Sequence, residues 1–208
     1  MNVTHDGWWI VSWFYRVGTK KRAHPWLLAA VLQTRLPQVV DADALNLLAQ
    51  EPARRDDWIL TPHPGEAARL LGVSTEQIQA DRLHAVHALQ QRYGGVCVLK
   101  GAGTLVCTSE SIALCEAGNP GMASGGMGDV LTGIIAGFLA QGLSLMDAAK
   151  AGVYIHATAG DRAAQEGERG LLASDLLPHL RKLVNPTRKH SLLNLSEHSD
   201  ENPYRAGT

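Results

Sequence analysis

The sequence predicts an α/β domain with a mainly parallel central sheet, and two features of the chain indicate this fold class. From residue 36 onward, short runs of apolar and β-branched residues alternate with stretches of helical periodicity, which is typical of α/β folds. A glycine-rich segment, GNPGMASGGMGD at residues 118–129, is followed directly by an apolar helical run over residues 130–139. Glycines ahead of a helix leave backbone N–H groups free to bind a phosphate, so this segment also predicts an anion site.

The composition is that of a globular protein without a general affinity for polyanions. The 208 residues are 45% hydrophobic and 19% charged, with a formal net charge of −1. This balance excludes a general attraction to nucleic acid or to an anionic membrane, so any phosphate binding must be local. The apolar residues 8–15 are too few to span a bilayer, and three cysteines without a C-x-x-C pair indicate reduced thiols. We therefore expect a cytoplasmic protein.

The chain divides by composition into three parts. Residues 36–186 carry the alternating pattern of the α/β domain. Residues 1–35 form an atypical head, in which four tryptophans lie near a Lys-Lys-Arg run and no nucleotide motif is found. Residues 187–208 are rich in Ser, Asn, His and Glu with little to bury, which predicts a disordered tail.

The first half of the domain is expected to alternate strands and helices. Asp43 is the predicted N-cap of the first helix, Pro64 is well placed to begin the second, and Gly72 to end it. A third, longer helix is expected to turn Leu83, Val86, His87 and Leu89 inward and to stop at the glycines after Tyr93. The predicted elements are strands at residues 36–40 and 57–60 and helices at residues 44–50, 65–71 and 75–92.

The second half of the domain contains a buried strand, a hairpin and the last helices. Residues 96–99 are fully apolar, as in a strand buried on both faces. Two further strands can pair across Ser109-Glu110. The predicted elements are strands at residues 96–99, 104–108 and 111–114 and helices at residues 129–141, 145–164 and 173–184.

The glycine-rich segment places an acid beside the expected anion site. Gly125, Gly126 and Gly128 permit a sharp turn and a close approach to a ligand, and Asp129 follows in the first turn of the helix. There Asp129 is close enough to a phosphate to take a proton from an attacking hydroxyl. The alternative is an acid favoured by the helix dipole alone. The density of glycine favours the phosphate site, because a merely capped helix does not need it.

Polar residues also follow the other predicted strands, where ligands collect in parallel sheets. Asp41 follows the first strand, and His63 follows the second between two prolines that fix its backbone. The sequence supports two interpretations of His63 equally: a side chain that binds a ligand, or a turn histidine bonded to local carbonyls. Glu66 either reaches a metal-bound water or serves the helix N-terminus electrostatically, and the structural role is favoured. Lys100 follows the third strand and begins the Lys100 loop, residues 100–104, which suits a phosphate, although the lysine could equally extend to solvent.

Three other histidines are not expected to act in catalysis. His84 and His87 are helix neighbours without an acid or cysteine at matching spacing, so a metal site there is not favoured. His156 lies inside an apolar helix, which favours a core histidine with satisfied hydrogen bonds.

Taken together, DADALNLLA, TPHPGEAARLLG, VLKGAGT and GNPGMASGGMGDVLTGIIAGFLAQG resemble the dehydratase domain of NAD(P)H-hydrate repair enzymes, in the ribokinase-like superfamily. The resemblance covers residues 36–186. It implies a three-layer sandwich and a lyase that uses ADP, or ATP, with Mg²⁺ to dehydrate the S epimer of hydrated NADH or NADPH.

The resemblance also implies roles for particular residues. Asp129 would deprotonate the hydroxyl of the hydrated nicotinamide ring, the nucleotide would phosphorylate that hydroxyl, and loss of phosphate would restore the double bond. His63 and Asp129 would contact the substrate. The positions that would bind the adenine nucleotide are Lys100, Gly101, Ala102, Gly103, Thr104 and Gly128.

The N-terminal part departs from the family pattern. Family members begin this domain with a glycine-rich strand-turn-helix and later carry a Gly-Pro-Gly-Leu-Gly turn, and neither is found here. We therefore expect a sheet without its first strands, weak or absent turnover, and exposed edges that favour homo-oligomers. The alternatives are an inactive nucleotide-binding remnant and a small-molecule kinase of the same superfamily.

Overall fold

In the computed structural model, which describes residues 11–12, 30–34 and 36–185, one six-stranded sheet forms the centre of the domain. The strands lie in chain order across the sheet, with β1 to β4 parallel and β5 and β6 antiparallel. The strands are β1 (Val11–Ser12), β2 (Gln38–Val40), β3 (Trp58–Leu60), β4 (Val96–Leu99), β5 (Thr104–Cys107) and β6 (Ile112–Cys115). The mainly parallel sheet and the closing hairpin confirm the predicted fold class.

Besides the helical residues 30–32, seven α-helices connect or follow these strands within the described residues. They are α1 (Asp43–Gln50), α2 (Pro64–Leu71), α3 (Thr75–Ala80), α4 (Arg82–Tyr93), α5 (Met127–Ala140), α6 (Leu145–Ala163) and α7 (Leu177–Val184). Short 3₁₀ turns lie at Pro120–Met122, Ala164–Glu166 and Ala173–Leu176. Helix α2 begins at Pro64 and ends at Gly72, whose φ of 72° suits glycine, as the sequence predicts.

The helices pack on both faces of the sheet because alternate strand residues point to opposite sides. Val40 and Leu60 join the core beneath helices α1 to α4. Their neighbours Val39 and Ile59 join a second core beneath helices α5 and α6. Strand β4 contributes to both cores and is buried at every position, so the domain is a three-layer α/β/α sandwich.

Three local predictions were wrong. The helix expected at residues 75–92 breaks at Asp81, whose φ of −144° and ψ of 84° leave the helical region and whose side chain caps α4 by accepting from the His84 N–H. The break leaves Leu83 and His87 exposed, and only Val86 and Leu89 of the four expected inward residues are buried.

The other two corrections concern helix ends. Asp43 lies inside α1 rather than at its N-cap, which is Ala42 in a positive-φ conformation of 51° without a side-chain cap. The last predicted helix begins as the 3₁₀ turn Ala173–Leu176 and becomes α-helical only at Leu177.

The predicted head and tail lie mostly outside the described residues. Strand β1 belongs to the predicted head, and it pairs in parallel with β2, with Val11 opposite Gln38. Residues 187–208 of the predicted tail fall outside the described part of the chain. The division at residues 35 and 186 therefore stays a prediction.

Within the described residues, no helix combines the length and the hydropathy needed to cross a membrane. All three cysteines are free thiols. Burial raises the pKa of the Cys107 and Cys97 thiols.

The contact between helices α5 and α6 makes one stability prediction. A Cβ at Gly152 would lie 2.5 Å from Ile135 Cγ1, whereas a Cβ at Gly137 would meet nothing within 4 Å. We expect Gly152→Ala to lower the free energy of unfolding by about 2 kcal/mol through overpacking. Gly137→Ala, the matched control in an exposed helical position, should raise it by about 0.5 kcal/mol through helix propensity. Urea unfolding followed by circular dichroism measures both, and equal effects would contradict the close packing.

Candidate active site

Polar side chains meet at the edge of the sheet where β2, β3 and β4 end, which we call the carboxyl edge. Asp41 follows β2, His63 lies three residues beyond β3, and Lys100 follows β4. Because these strands are parallel neighbours, their carboxyl ends lie on one edge, where ligands bind in open α/β sheets.

The central interaction at this edge is an ion pair between Asp41 and Lys100. The Lys100 Nζ lies 2.8 Å from Asp41 Oδ1, and the Thr132 hydroxyl of α5 donates to Asp41 Oδ2 at 3.0 Å. The Asp41 residue is only 5% exposed. A buried carboxylate needs such partners, so Asp41 ties the ends of β2 and β4 to helix α5.

Glu66 links the ion pair to the helix cap at His63. One carboxylate oxygen, Oε2, lies 3.7 Å from Lys100 Nζ and accepts a 2.8 Å hydrogen bond from the His63 backbone N–H. In return, His63 Nδ1 accepts from the backbone N–H groups of Gly65 at 3.0 Å and Glu66 at 3.4 Å. This reciprocal capping box confirms the structural role expected of Glu66. The contact between Glu66 and Lys100 was not expected.

The hydrogen bonds fix the tautomer of His63. Since Nδ1 accepts from two backbone N–H groups, the neutral imidazole carries its proton on Nε2. Burial lowers the pKa of His63, and the nearby Glu66 carboxylate opposes this effect. The side chain is 50% exposed. His63 Nε2 lies 3.5 Å from Glu66 Oε1, so the half-exposed Nε2–H donates beside this carboxylate, where a ligand can also reach it. The partners of Nδ1 are backbone N–H groups rather than the carbonyls considered from sequence.

Helix α5 begins against the ion pair. Its N-cap is Gly126, at a positive φ of 92° that few other residues adopt. A Cβ at Gly128 would lie 3.2 Å from Lys100 Nζ and 3.6 Å from Asp41 Oδ2, so glycine lets the helix approach this closely without displacing the lysine. Asp129, in the first turn of α5, thus follows directly on the residue that contacts the ion pair.

The segment before α5, residues 118–126, is fixed to helix α6. The carboxylate of Asp161 accepts from the Gly118 backbone N–H at 2.9 Å and from the Asn119 side-chain amide at 3.0 Å. Two buried polar atoms of this segment, Asn119 Oδ1 and Ser124 Oγ, make no hydrogen bond with the described residues. Such atoms call for an explanation, and a bound ligand is one.

The Lys100 loop forms the other wall of the site. Gly101 and Gly103 have positive φ angles of 143° and 67°, and the Lys100 backbone N–H donates to the Pro62 carbonyl at 2.9 Å. The hydroxyl of Thr104, one of the positions expected to bind the nucleotide, donates to the Gly101 carbonyl at 3.1 Å and so closes the loop on itself. Gly101 and Ala102 are exposed.

His156 of helix α6 is buried, as the sequence predicts, but its hydrogen bonding is incomplete. Its Nε2 has no partner among the described residues. Burial lowers the pKa of His156 to about 4, a hydrogen bond with the Met127 backbone opposes the shift, and the positive charge of Lys100 adds to it. The imidazole is therefore neutral at physiological pH.

The described residues contain no group of three or more His, Cys, Asp or Glu side chains arranged to hold a metal ion. His84 and His87 are both exposed on α4.

The structure brings together most of the residues singled out from sequence. His63 and Lys100 are connected through Glu66, and Gly128 abuts Lys100. Sequence reasoning missed Thr132, although a hydroxyl three residues after Asp129 in an apolar helix was a usable signal. It also missed Asp161 of α6, which binds the segment before α5, and Arg82 of α4, which binds the Lys100 loop.

Comparisons with known proteins give a consistent result. Residues 17–182 match the family model described as NAD(P)H-hydrate dehydratase. The chain is 64% identical over 162 residues to the bifunctional NAD(P)H-hydrate repair enzyme of Coxiella burnetii, covering 77% of this chain and 33% of that protein. It is 42% identical over 192 residues to the ADP-dependent (S)-NAD(P)H-hydrate dehydratase of Neisseria meningitidis, covering 87% and 64% respectively.

A solved structure supports the same likeness. The ADP/ATP-dependent NAD(P)H-hydrate dehydratase of Bacillus subtilis, co-crystallised with ATP and Mg²⁺ and soaked with CoA, superimposes with a TM-score of 0.67 at 32% identity, covering 75% of this chain and 58% of that one. The predicted ribokinase-like sandwich is thereby confirmed. The chain spans about a third of the Coxiella relative and under two thirds of the other two.

The Asp41–Lys100 pair predicts a large and specific loss of stability. We expect Asp41→Asn to lower the free energy of unfolding by about 3 kcal/mol, because it leaves the Lys100 ammonium largely buried without its principal partner. The control is Asp56→Asn, which removes an exposed pair with Arg54 at 3.5 Å and should cost less than about 1 kcal/mol. Urea unfolding of both variants compares them, and similar losses would refute the central role of the pair.

The depressed pKa of His156 predicts an acid sensitivity. The ordinary value is 6.5 and the folded value about 4, so the unfolded chain takes up the proton first as the pH falls. The contribution of neutral His156 to folding stability is complete above about pH 6.5 and is lost as the pH falls towards 4. We therefore expect His156→Gln to reduce the loss of stability between pH 7 and pH 5 by roughly 2 kcal/mol.

Chemical unfolding at several pH values measures this slope. His87→Gln, at an exposed position, is the control and should leave the slope unchanged. A slope in the His156 variant as steep as in the original chain would show that His156 does not carry the effect.

Proposed function

Because this chain belongs to the NAD(P)H-hydrate dehydratase family, we propose that it catalyses the ADP-dependent dehydration of the S epimers of hydrated NADH and NADPH. The products are NADH and NADPH, so the activity is a carbon–oxygen lyase reaction that repairs nicotinamide nucleotides. The Neisseria relative is described as an ADP-dependent dehydratase of this kind.

The observation that carries the proposal is the meeting of three elements at the carboxyl edge. Lys100, the first turn of α5 and the His63 cap come from segments far apart in sequence, and they are joined by contacts through Asp41 and Glu66. A cation, a helix N-terminus and a neutral imidazole donor side by side suit a phosphorylated substrate with a polar ring.

The residues present fit an adenine nucleotide. A Cβ at Gly128 would lie 3.2 Å from Lys100 Nζ, so this glycine leaves space beside the ammonium, and the ammonium of Lys100 supplies charge for phosphate oxygens. We therefore assign nucleotide binding to Lys100, Gly101, Ala102, Gly103, Thr104 and Gly128. When bound, the nucleotide supplies the phosphoryl group that turns the ring hydroxyl into a leaving group.

Mg²⁺ fits the site only as an ion that accompanies the nucleotide. The described residues offer no three-ligand group, and Asp41 is occupied by Lys100 and Thr132. Mg²⁺ commonly binds through substrate phosphates and one or two carboxylates. Glu66, whose Oε2 lies 3.7 Å from Lys100 Nζ, is the acid at this edge that would hold the ion or one of its waters.

Asp129 acts as the general base in this proposal. Its carboxylate accepts the proton of the substrate hydroxyl as that oxygen becomes the nucleophile, which is the role an acid plays beside a phosphate site. The N–H groups at the start of α5 and the Lys100 ammonium bind the negative charge of the transferred group. His63 orients the substrate by donating from Nε2.

The proposal also includes a cytoplasmic location and the association of copies of this chain. A cytoplasmic location is supported by three free thiols. Association of copies is supported by the outer strand β6, where Ile112 and Leu114 are 41% and 58% exposed.

The test is recovery of reduced-nicotinamide absorbance from S-hydrated NADH. With the purified chain, Mg²⁺ and ADP, we expect recovery, and Asp129→Asn should slow it by about 100-fold or more through loss of the general base. Nucleotide affinity, measured by calorimetry, should change little in that variant.

The matched control is Asp147→Asn, since Asp147 is an exposed acid in the first turn of α6, and it should leave turnover unchanged. Nucleotide binding without any recovery would reject the dehydratase and identify a binding remnant. A stable phosphorylated alcohol as product would identify a kinase instead.

A further inference from the structure

Arg82 reaches the Lys100 loop from the start of helix α4. Its Nη2 donates to the carbonyls of Leu99 at 3.2 Å and Lys100 at 3.4 Å, and its Nη1 donates to the carbonyl of Ala102. Arg82 is the first residue after the helix break at Asp81. The break therefore sets the position from which the guanidinium reaches residues 17 to 20 positions further along the chain.

The guanidinium forms no ion pair with any acid of the described chain. Arg55, by contrast, binds Asp57 through Nε and Nη2 at 2.7 and 2.6 Å. The Arg82 Nε is buried and has no acceptor among the described residues. Its hydrogen bonds go to the Lys100 loop and the end of β4 alone, and its positive charge is left without a neutralising carboxylate.

The loop is shaped to enclose this side chain. A Cβ at Gly101 would lie 3.0 Å from Arg82 Nη2, and one at Gly103 would lie 4.0 Å from Nη1. The positive φ angles of both glycines bend the loop in a way that other residues rarely adopt. The glycines thus make room for the guanidinium on the inner side of the loop.

The direction of the carbonyls fixes the direction of the next N–H groups. In a trans peptide, the C=O of one residue and the N–H of the next point in opposite directions. The Lys100 and Ala102 carbonyls point at Arg82, so the N–H groups of Gly101 and Gly103 point away from it. Two backbone donors are therefore aimed outward from the loop.

We propose that Arg82 is a positioning residue for the nucleotide. It holds the Lys100 and Ala102 carbonyls inward so that the Gly101 and Gly103 N–H groups face the nucleotide phosphates, and its unneutralised charge adds to their attraction. This inference rests on the proposed binding of an adenine nucleotide by residues 100–104. A lysine would replace Arg82 only in part, because its ammonium keeps the charge but lacks the planar fork that bridges separate carbonyls.

The test measures ADP affinity of the full chain by calorimetry in the presence of Mg²⁺. We expect R82A to weaken ADP binding at least tenfold and R82K to weaken it less. Millimolar guanidinium should restore most of the affinity of R82A, because the small cation can occupy the same carbonyl cage. The matched control is R92A, on the same helix, where the exposed Arg92 lies 5.4 Å from the centre of the Tyr93 ring, and its affinity should not change.

A second readout separates positioning from general destabilisation. Amide hydrogen exchange in peptides covering residues 99–104 should accelerate in R82A and not in R92A, while exchange in strand β3 stays the same in both. Unchanged ADP affinity in R82A, or a loss that neither guanidinium nor R82K recovers, would overturn the inference. If ADP binds but hydrated NADH is not converted, the proposed dehydration fails and the comparison of Arg82 variants still decides the positioning role.

Discussion

The buried ion pair between Asp41 and Lys100 is the interaction on which the site depends. A carboxylate that is 5% exposed must be matched by charge and hydrogen bonds, and here it binds an ammonium after β4 and a hydroxyl on α5. One residue thereby holds two strand ends and a helix in register. Glu66 extends the same network to the cap of α2, so the walls of the site are fixed before any ligand binds.

Two loops then face each other across this network, and each is fixed from behind. Asp161 of α6 binds the beginning of the segment that leads into α5, and Arg82 of α4 binds the carbonyls of the Lys100 loop. Both supports come from helices rather than from the loops themselves. Preorganised donors of this kind lower the cost of ordering a site around a phosphate.

Strands β2 to β6 and the hairpin could be predicted from the sequence because each depends on local chemistry, whereas β1 lies in the segment for which no strand was predicted. Buried β4 is recognisable as an apolar run, and Gly126 occupies a positive-φ turn position that favours glycine. The missed features depend on tertiary contacts. The break at Asp81 follows from a capping bond that competes with helix continuation, and the pairing of Thr132 with Asp41 joins residues 91 positions apart. No pattern in a single sequence specifies which residues so far apart in the chain come into contact.

The most direct test of the account is a crystal structure of the chain with ADP and Mg²⁺. We expect phosphate oxygens between the N–H groups of Gly101 and Gly103 and the first turn of α5, with Lys100 Nζ within hydrogen-bonding distance of a phosphate and still paired with Asp41. Asp129 would face the terminal phosphate from α5. ADP bound away from the carboxyl edge, or an Asp41–Lys100 pair that separates when ADP binds, would contradict it.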